Sequence, residues 1–232
     1  METVRSRQIL VFDADDTLWE NNALFERVVT DYLDWLAHPT LDTAAIRKIL
    51  DDVERANIDV HGYGSASFLR SLHDCFEHLS ERPATDAEAA EIVELWALLA
   101  DHRVELIPGV AETLTELGSR HELRLLTKGQ PAEQQRKIDA SNLAHHFRSV
   151  HIVAEKRAQT YRMLAAAESL DPSRTWMIGN SPRSDILAAR EAGWRAVFIP
   201  NAYTWSLEEA HIDPADGGVL QLAGFRALAD HF

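Results

Sequence analysis

The chain has 232 residues, 46% of them hydrophobic, which suits one sizeable α/β domain or a core with an inserted subdomain. Its 37 acidic residues outnumber its 23 basic ones and give a formal net charge of -14, which repels nucleic acid and anionic membrane surfaces over most of the molecule. An anionic substrate therefore requires a local positive pocket or a bound cation.

Cys75 is the single cysteine of the chain, which excludes an intramolecular disulfide and a thiolate metal cluster. No stretch approaches the roughly 18 apolar residues of a membrane span. The first seven residues are polar, and the apolar segment after them is too short for a secretory signal. We therefore expect a cytoplasmic protein that binds neither nucleic acid nor a membrane. The sequence leaves a monomer and a homodimer both open.

Three aspartates, Asp13, Asp15 and Asp16, directly follow the apolar run 9–12. Four consecutive apolar residues are typical of a buried strand of a parallel sheet. Ionised carboxylates this close together repel one another, so a fold keeps them mainly where a cation or a reaction uses them. Because parallel sheets bind ligands beyond the carboxyl ends of their strands, the cluster predicts an active site there.

The next convincing strand, 123–126, comes more than a hundred residues later, although a parallel crossover needs only about a dozen. Between about 20 and 105, apolar residues recur at helical spacing, with breaks at His38-Pro39, at 61–64 and at Arg82-Pro83. This pattern predicts roughly four helices without strands. The predicted organisation is a core formed by 1–18 and 106–232, with an all-helical domain over 19–105 inserted into it.

From Ile107-Pro108-Gly109 onward strand and helix alternate, which predicts a doubly wound parallel sheet. Ser181 and Pro182 are typical of an N-cap followed by proline at the first helical position, and Gly193 is typical of a helix end. The segment beyond 200 is the least regular and ends in a short Leu/Ala-rich helix. Predicted helices cover 109–119, 131–141, 158–169 and 182–192, and predicted strands cover 123–127, 150–153, 175–178 and 195–199.

Polar side chains recur just after these strands, and each set alone is a weak signal. In chain order they are Asp13 and Asp15, Thr127-Lys128-Gly129, Lys156, and Gly179-Asn180 with Asp185. Four such sets in this order resemble the haloacid dehalogenase superfamily of hydrolases. Residues 13–17 match its first motif, Asp-x-Asp-x-Thr, and the inserted helices correspond to the cap that many members carry between the first and second motifs.

The resemblance implies a Rossmann-like core with a helical cap and a phosphatase acting on a small phosphomonoester. Asp13 would be the nucleophile that forms an aspartyl phosphate, and Asp15 would be the acid and base. Thr127 and Lys156 would bind the phosphate. Lys128 is a further candidate for phosphate binding by its position, which is equally consistent with a solvent-facing residue that takes no part.

The same resemblance implies Mg²⁺, held by the Asp13 carboxylate, the Asp15 main-chain carbonyl and Asp185. Asn180 stands where many members have aspartate, which predicts weaker metal affinity without loss of catalysis. Asp16 is interpreted as part of the turn after the strand and is left out of the chemistry.

The predicted cap offers four substrate contacts, which are equally consistent with turn and packing roles: Asn21, Asn22, Tyr63 and Phe68. Among competing functions, the family's dehalogenases lack an aspartate equivalent to Asp15, which argues against that chemistry. A sugar-phosphate mutase uses the same two aspartates and stays open. A phospho-receiver domain is less favoured, because the order of the motifs along the chain does not match that of a receiver. A phosphate-binding module without turnover is less favoured, because the chain has the acid and base Asp15.

Overall fold

The computed structural model describes residues 7–100 and 104–232. The chain divides into two compact units, Met1–Glu20 with Val104–Phe232 and Asn21–Arg103. Each boundary between the two units lies two residues from its predicted position. The reason is that the two chain segments at the boundary pair with each other, so both belong to the core unit. Trp19 and Leu106 form an antiparallel bridge, and the Glu20 amide donates to the Glu105 carbonyl at 2.9 Å.

The core unit contains one sheet, in which six strands are described, all of them parallel, and this confirms the predicted doubly wound α/β fold. Their order across the sheet is β3-β2-β1-β4-β5-β6. The central strands are buried on both faces, which explains their continuous apolar runs. The strands are β1 Ile9–Phe12, β2 Glu122–Lys128, β3 Val150–Val153, β4 Thr175–Gly179, β5 Arg195–Phe198 and β6 Val219–Gln221.

The described residues of the inserted unit form helices joined by short turns. These turns lie at or next to the predicted breaks, and the helices pack around an apolar core that includes Tyr32, Leu72 and Ile92. Among the helices of residues 7–100 and 104–232, none combines the length and apolar character that a membrane span requires. The four helices described in the unit are α1 Asn22–Leu36, α2 Thr43–His61, α3 Ser65–Ser80 and α4 Asp86–Ala100.

The remaining helices cover the two faces of the sheet. Leu10 and Phe12 of β1 point to one face, whereas Val11 points to the other, so alternate residues of one strand contribute to two separate apolar clusters. These helices are α5 Val110–Arg120, α6 Pro131–Ser141, α7 Ala158–Glu168, a π-helical segment Pro182–Leu187 that continues into α8 Ala188–Glu191, and α9 Ala227–His231. Short 3-10 turns occupy Ala144–His146, Pro172–Arg174 and Ser206–Glu208.

Two details of the core differ from the sequence-based expectation. The helix predicted over 182–192 begins as a π-helix, and the Ser181 side chain makes no capping hydrogen bond. Instead the Ser181 amide donates to Asp185 Oδ2 at 3.0 Å, so the carboxylate reaches back to the start of its own helix. The edge strand β6 was not predicted, because three partly buried or exposed residues are too few to show a period.

Candidate active site

The register of the sheet brings the candidate residues to one edge. Phe12, the last residue of β1, pairs with Leu125 of β2 on one side and Ile178 of β4 on the other. The Asp13 amide continues this pairing and donates to the Ile178 carbonyl at 2.9 Å. Residues that follow these neighbouring strands therefore lie close together at their carboxyl ends, as the sequence predicted.

The centre of the site is an ammonium held between two carboxylates. The Lys156 side chain, only 1% exposed, donates to Asp13 Oδ1 and, at 2.8 Å, to Asp185 Oδ1. The second oxygen of Asp13 accepts a hydrogen bond from Thr17 Oγ1 at 3.0 Å. Three residues that the sequence assigned to the site are thus in direct contact, although they follow three different strands.

The electrostatics of this group favour added positive charge. Burial raises the pKa of Asp185, and the neighbouring Asp13 charge raises it further against the opposing effect of Lys156. Burial alone lowers the pKa of Lys156, but the charges of Asp13 and Asp185 outweigh it and the net direction is upward. Both directions follow from two buried carboxylates that share one ammonium and leave an excess of negative charge.

Local backbone structure explains how Asp185 reaches this position. A Cβ atom on Gly179, at the end of β4, would lie 2.2 Å from Asp185 Oδ2, so the carboxylate occupies space that only glycine leaves open. Asp185 lies within the π-helical segment, a geometry that is frequent at functional sites.

Asp15 lies beside this group with its carboxylate bound by three side chains. Trp19 Nε1 donates to Oδ1 at 2.7 Å, and Gln134 Nε2 donates to Oδ2 at 3.1 Å. The Lys137 ammonium contacts Oδ1 at 2.8 Å and Oδ2 at 2.7 Å. The acid and base predicted from the sequence is therefore anchored by the first turn after β1 and by α6.

Thr127 and Lys128, the predicted phosphate-binding pair at the end of β2, have different surroundings. Thr127 is buried, and its Oγ1 accepts a hydrogen bond from Gln134 at 2.6 Å, which leaves the hydroxyl a proton to donate. The Lys128 ammonium forms an ion pair with the buried Glu208 and lies 3.7 Å from Glu155 Oε1. The Lys128 side chain is thus committed to carboxylates, and its contact with phosphate stays a prediction.

Asn180 and Asp16 complete the edge. Asn180 is buried, and its Oδ1 lies 3.1 Å from Thr17 Oγ1, so the Thr17 hydroxyl lies between Asn180 and Asp13 with one proton for two acceptors. Asp16 has a left-handed backbone, with φ of 61°, and its amide donates to the Trp19 carbonyl at 2.7 Å. This geometry agrees with the interpretation of Asp16 as a turn residue.

The donor set suits a hard divalent cation that keeps some of its water. Within residues 7–100 and 104–232, no three side chains of His, Cys, Asp or Glu converge as a metal site. The expected set needs only two carboxylates, those of Asp13 and Asp185, because its third protein ligand is a main-chain carbonyl. Both carboxylates already share one ammonium, so they lie close enough to share a cation, and oxygen ligands of this kind fit Mg²⁺.

The four residues predicted as cap contacts lie in the inserted unit. Asn21 immediately precedes α1, Asn22 is its first residue, and Tyr63 lies in the turn between α2 and α3. Phe68 is buried, and its ring packs edge-on against Phe25 at a centroid distance of 5.1 Å. A role of these residues in substrate binding stays a prediction.

Sequence reasoning missed three residues that surround Asp15. Trp19 is a buried residue of the core, and its indole also donates to the carboxylate. Gln134 and Lys137 were not singled out. Their spacing of three on the helix that follows the second motif places them on one face, and this was the available signal.

Comparison with known proteins decides the family. The protein-family model of haloacid dehalogenase-like hydrolases matches residues 8–193 of the sequence. The chain belongs to this family. This match confirms the resemblance that the four sets of strand-end residues indicated.

Three relatives of this hydrolase stand out. Phosphoserine phosphatase from Thermus thermophilus is 33% identical over 129 residues, which are 53% of this chain and 51% of that protein, so the match spans about half of that relative's length. Pyrimidine 5'-nucleotidase YjjG from Escherichia coli is 26% identical over 222 residues, covering 87% of this chain and 94% of that one. A solved haloacid dehalogenase-like hydrolase from Xanthomonas campestris has a TM-score of 0.83 and 26% identity, covering 97% and 94% of the two chains.

Proposed function

We propose that this hydrolase is a Mg²⁺-dependent phosphatase that cleaves a small phosphomonoester through an aspartyl phosphate on Asp13. The observation that carries the proposal is the pair of carboxylates, Asp13 beside a buried ammonium and Asp15 two residues on, at one edge of the sheet. The relatives named as a phosphatase and a nucleotidase support the same reaction class.

The residues divide the reaction between two carboxylates. An Asp13 oxygen attacks phosphorus, so that an O–P bond forms while the bond from phosphorus to the leaving oxygen breaks. Asp15 gives its proton to the leaving oxygen and, in the second half-reaction, takes a proton from the water that hydrolyses the aspartyl phosphate. Lys156 offsets negative charge on the transferred group, and the Thr127 hydroxyl donates to one of its oxygens.

The proposed metal site consists of the Asp13 carboxylate, the Asp15 main-chain carbonyl and Asp185. When bound, Mg²⁺ would supply positive charge opposite the phosphoryl oxygens. Asn180 contributes an amide in place of a further carboxylate, which limits the repulsion that this group of buried oxygens must withstand.

Two alternatives within the family share part of this site. A dehalogenase uses a nucleophilic aspartate without a second acid, and the presence of Asp15 in contact with three donors disfavours it. A sugar-phosphate mutase would use both aspartates, and it is distinguished by its products, because a mutase retains the phosphoryl group on sugar whereas a phosphatase releases inorganic phosphate. The cytoplasmic location and the choice between monomer and homodimer also stay predictions.

The test is phosphate release from p-nitrophenyl phosphate and from a panel of small phosphomonoesters, with Mg²⁺ and with EDTA. We expect Mg²⁺-dependent release by the wild type and loss of turnover in Asp13→Asn. Asp59→Asn makes the same chemical change at an exposed carboxylate of α2 and should match the wild type. A wild type that is inactive on every substrate, or an Asp13→Asn variant as active as the wild type, would contradict the proposal.

A further inference from the structure

All acceptor positions of the Asp15 carboxylate are occupied by protein donors. An ionised carboxylate offers about four such positions, two on each oxygen. Trp19 Nε1 and the Lys137 ammonium bind Oδ1 at 2.7 and 2.8 Å, whereas Lys137 and Gln134 Nε2 bind Oδ2 at 2.7 and 3.1 Å. Asp15 therefore exchanges a proton with a substrate only after one of these contacts is released.

The contact from Gln134 is the one most easily released. It is the longest of the four, and the amide has two protons for three acceptors, since Nε2 also lies 2.6 Å from Thr127 Oγ1 and 3.2 Å from the Lys128 carbonyl. When Oδ2 carries a proton, Gln134 keeps the other two partners and loses no hydrogen-bonding capacity. Trp19 and Lys137 continue to hold the opposite oxygen.

From this arrangement we propose that Gln134 and Lys137, one turn apart on α6, are positioning residues for proton transfer by Asp15. Lys137 fixes the orientation of the carboxylate. Gln134 releases Asp15 Oδ2, which can then contact the leaving oxygen. At the same time Gln134 keeps its hydrogen bond to Thr127, so the phosphate-binding hydroxyl stays aligned with the Asp15 carboxylate. The inference rests on the proposed phosphatase function and adds to it the two groups that align acid with phosphate.

A purely stabilising role does not account for these contacts. The side chains of Lys137 and Asp15 are 17% and 24% exposed, so solvent reaches part of this ion pair and screens part of its contribution to stability. The backbone also makes room for Gln134, because a Cβ on Gly129 would lie 2.9 Å from its Cγ, and the φ of Gly129 is +146°. Space is thus reserved beside Thr127 for an amide that reaches both Thr127 and Asp15.

The experiment compares two leaving groups. p-Nitrophenolate departs without much protonation, whereas an alkoxide needs a proton from Asp15. For Lys137→Met and Gln134→Leu we expect the rate of the first half-reaction, measured as the burst of released alcohol before the aspartyl phosphate turns over, to fall roughly 10- to 100-fold on an alkyl phosphate, as for a misaligned catalytic group. The burst rate on p-nitrophenyl phosphate should change by less than about threefold. Hydrolysis of the aspartyl phosphate, which also uses Asp15, is common to both substrates and does not enter this comparison. Lys137→Arg should recover part of the loss.

Arg136→Met is the matched control, because it removes a positive charge from an exposed neighbour on the same helix and should leave both rates unchanged. In an Asp15→Asn background, Lys137→Met should add little further loss, since both act on one step. Equal losses of the first half-reaction rate on the two substrates, or full additivity with Asp15→Asn on the alkyl phosphate, would overturn the inference.

A measurement without turnover separates this inference from the proposed function. The indole N–H resonance of Trp19, assigned with Trp19→Phe, reports its hydrogen bond to Asp15 and should shift in Lys137→Met but not in Arg136→Met. If the wild type is inactive but the Trp19 resonance shifts in Lys137→Met, the phosphatase proposal fails and the anchoring of Asp15 is supported. An unshifted resonance would overturn the anchoring whatever the activity.

Discussion

Gly179→Ala tests how the fold positions the proposed metal ligand Asp185. The new Cβ would lie 2.2 Å from Asp185 Oδ2, 2.5 Å from its Cγ and 2.8 Å from its Cβ. Rotating the carboxylate does not relieve this overlap, because the Asp185 Cβ atom is itself too close. The side chain is also fully buried and bound to Lys156 and to the Ser181 amide.

The size of the effect follows from these distances. Ordinary van der Waals contact begins at 3.4 Å, so Asp185 Oδ2 must move by about 1.2 Å. Overpacking of this kind costs roughly 1–3 kcal/mol of unfolding free energy. A displacement of about 1 Å in a catalytic group lowers the rate by roughly 100-fold, which is the loss we expect in phosphate release.

The assays are urea denaturation and Mg²⁺-dependent phosphate release, with Gly118→Ala as the control. Gly118 lies within α5, and its Cβ would meet nothing closer than Leu123 Cδ1 at 3.6 Å. Alanine there should leave activity unchanged and raise stability by roughly 0.5–1 kcal/mol. If Gly179→Ala unfolds at the same urea concentration as the wild type and keeps its activity, the close packing of Asp185 does not position it.

Three further substitutions probe the site and the inserted unit. Lys156→Met leaves two buried carboxylates without their shared ammonium, and in EDTA we expect urea denaturation to show a loss of roughly 3–5 kcal/mol that added Mg²⁺ partly restores. Asn180→Asp adds a carboxylate beside Thr17, so Mg²⁺ should activate at lower concentration while metal-free stability falls; an unchanged activation constant would contradict this. Leu72→Ala empties a fully buried position of the helical unit and should cost roughly 2–5 kcal/mol by thermal denaturation, whereas exposed Val60→Ala should cost little.

Most of the core could be predicted because its local signals agree with its packing. The helix over 131–141 begins with proline at its first position, and the strand over 150–153 has apolar residues at all positions but His151. Both elements have the predicted bounds. The π-helical segment could not be predicted in the same way. Its geometry depends on the contact of Asp185 with the Ser181 amide and on the absence of a side chain at Gly179, which are consequences of tertiary packing.

The site shows the same division between local and tertiary information. Residues directly after strands were identified because parallel strands bring their ends together, and this rule assigned Asp13, Thr127, Lys156 and Asp185 to one edge. Lys137 lies on a helix, ten residues beyond Thr127, and no rule of strand ends selects it. Only the tertiary packing of α6 brings its ammonium to Asp15.

The charge balance of the site explains how a chain with a net charge of -14 can act on an anion. Asp13, Asp15 and Asp185 face the two ammoniums of Lys156 and Lys137, and the neighbouring Lys128 is outnumbered by Glu208 and Glu155, so the ionised side chains of this edge carry a net negative charge. A phosphate dianion would be repelled by this net negative charge. One divalent cation offsets this negative charge, so the same group of side chains attracts phosphate more strongly with the metal bound. The arrangement therefore supports positive coupling between Mg²⁺ and the substrate, and initial-rate measurements should show tighter apparent binding of substrate as Mg²⁺ rises; substrate affinity independent of Mg²⁺ would refute this reasoning.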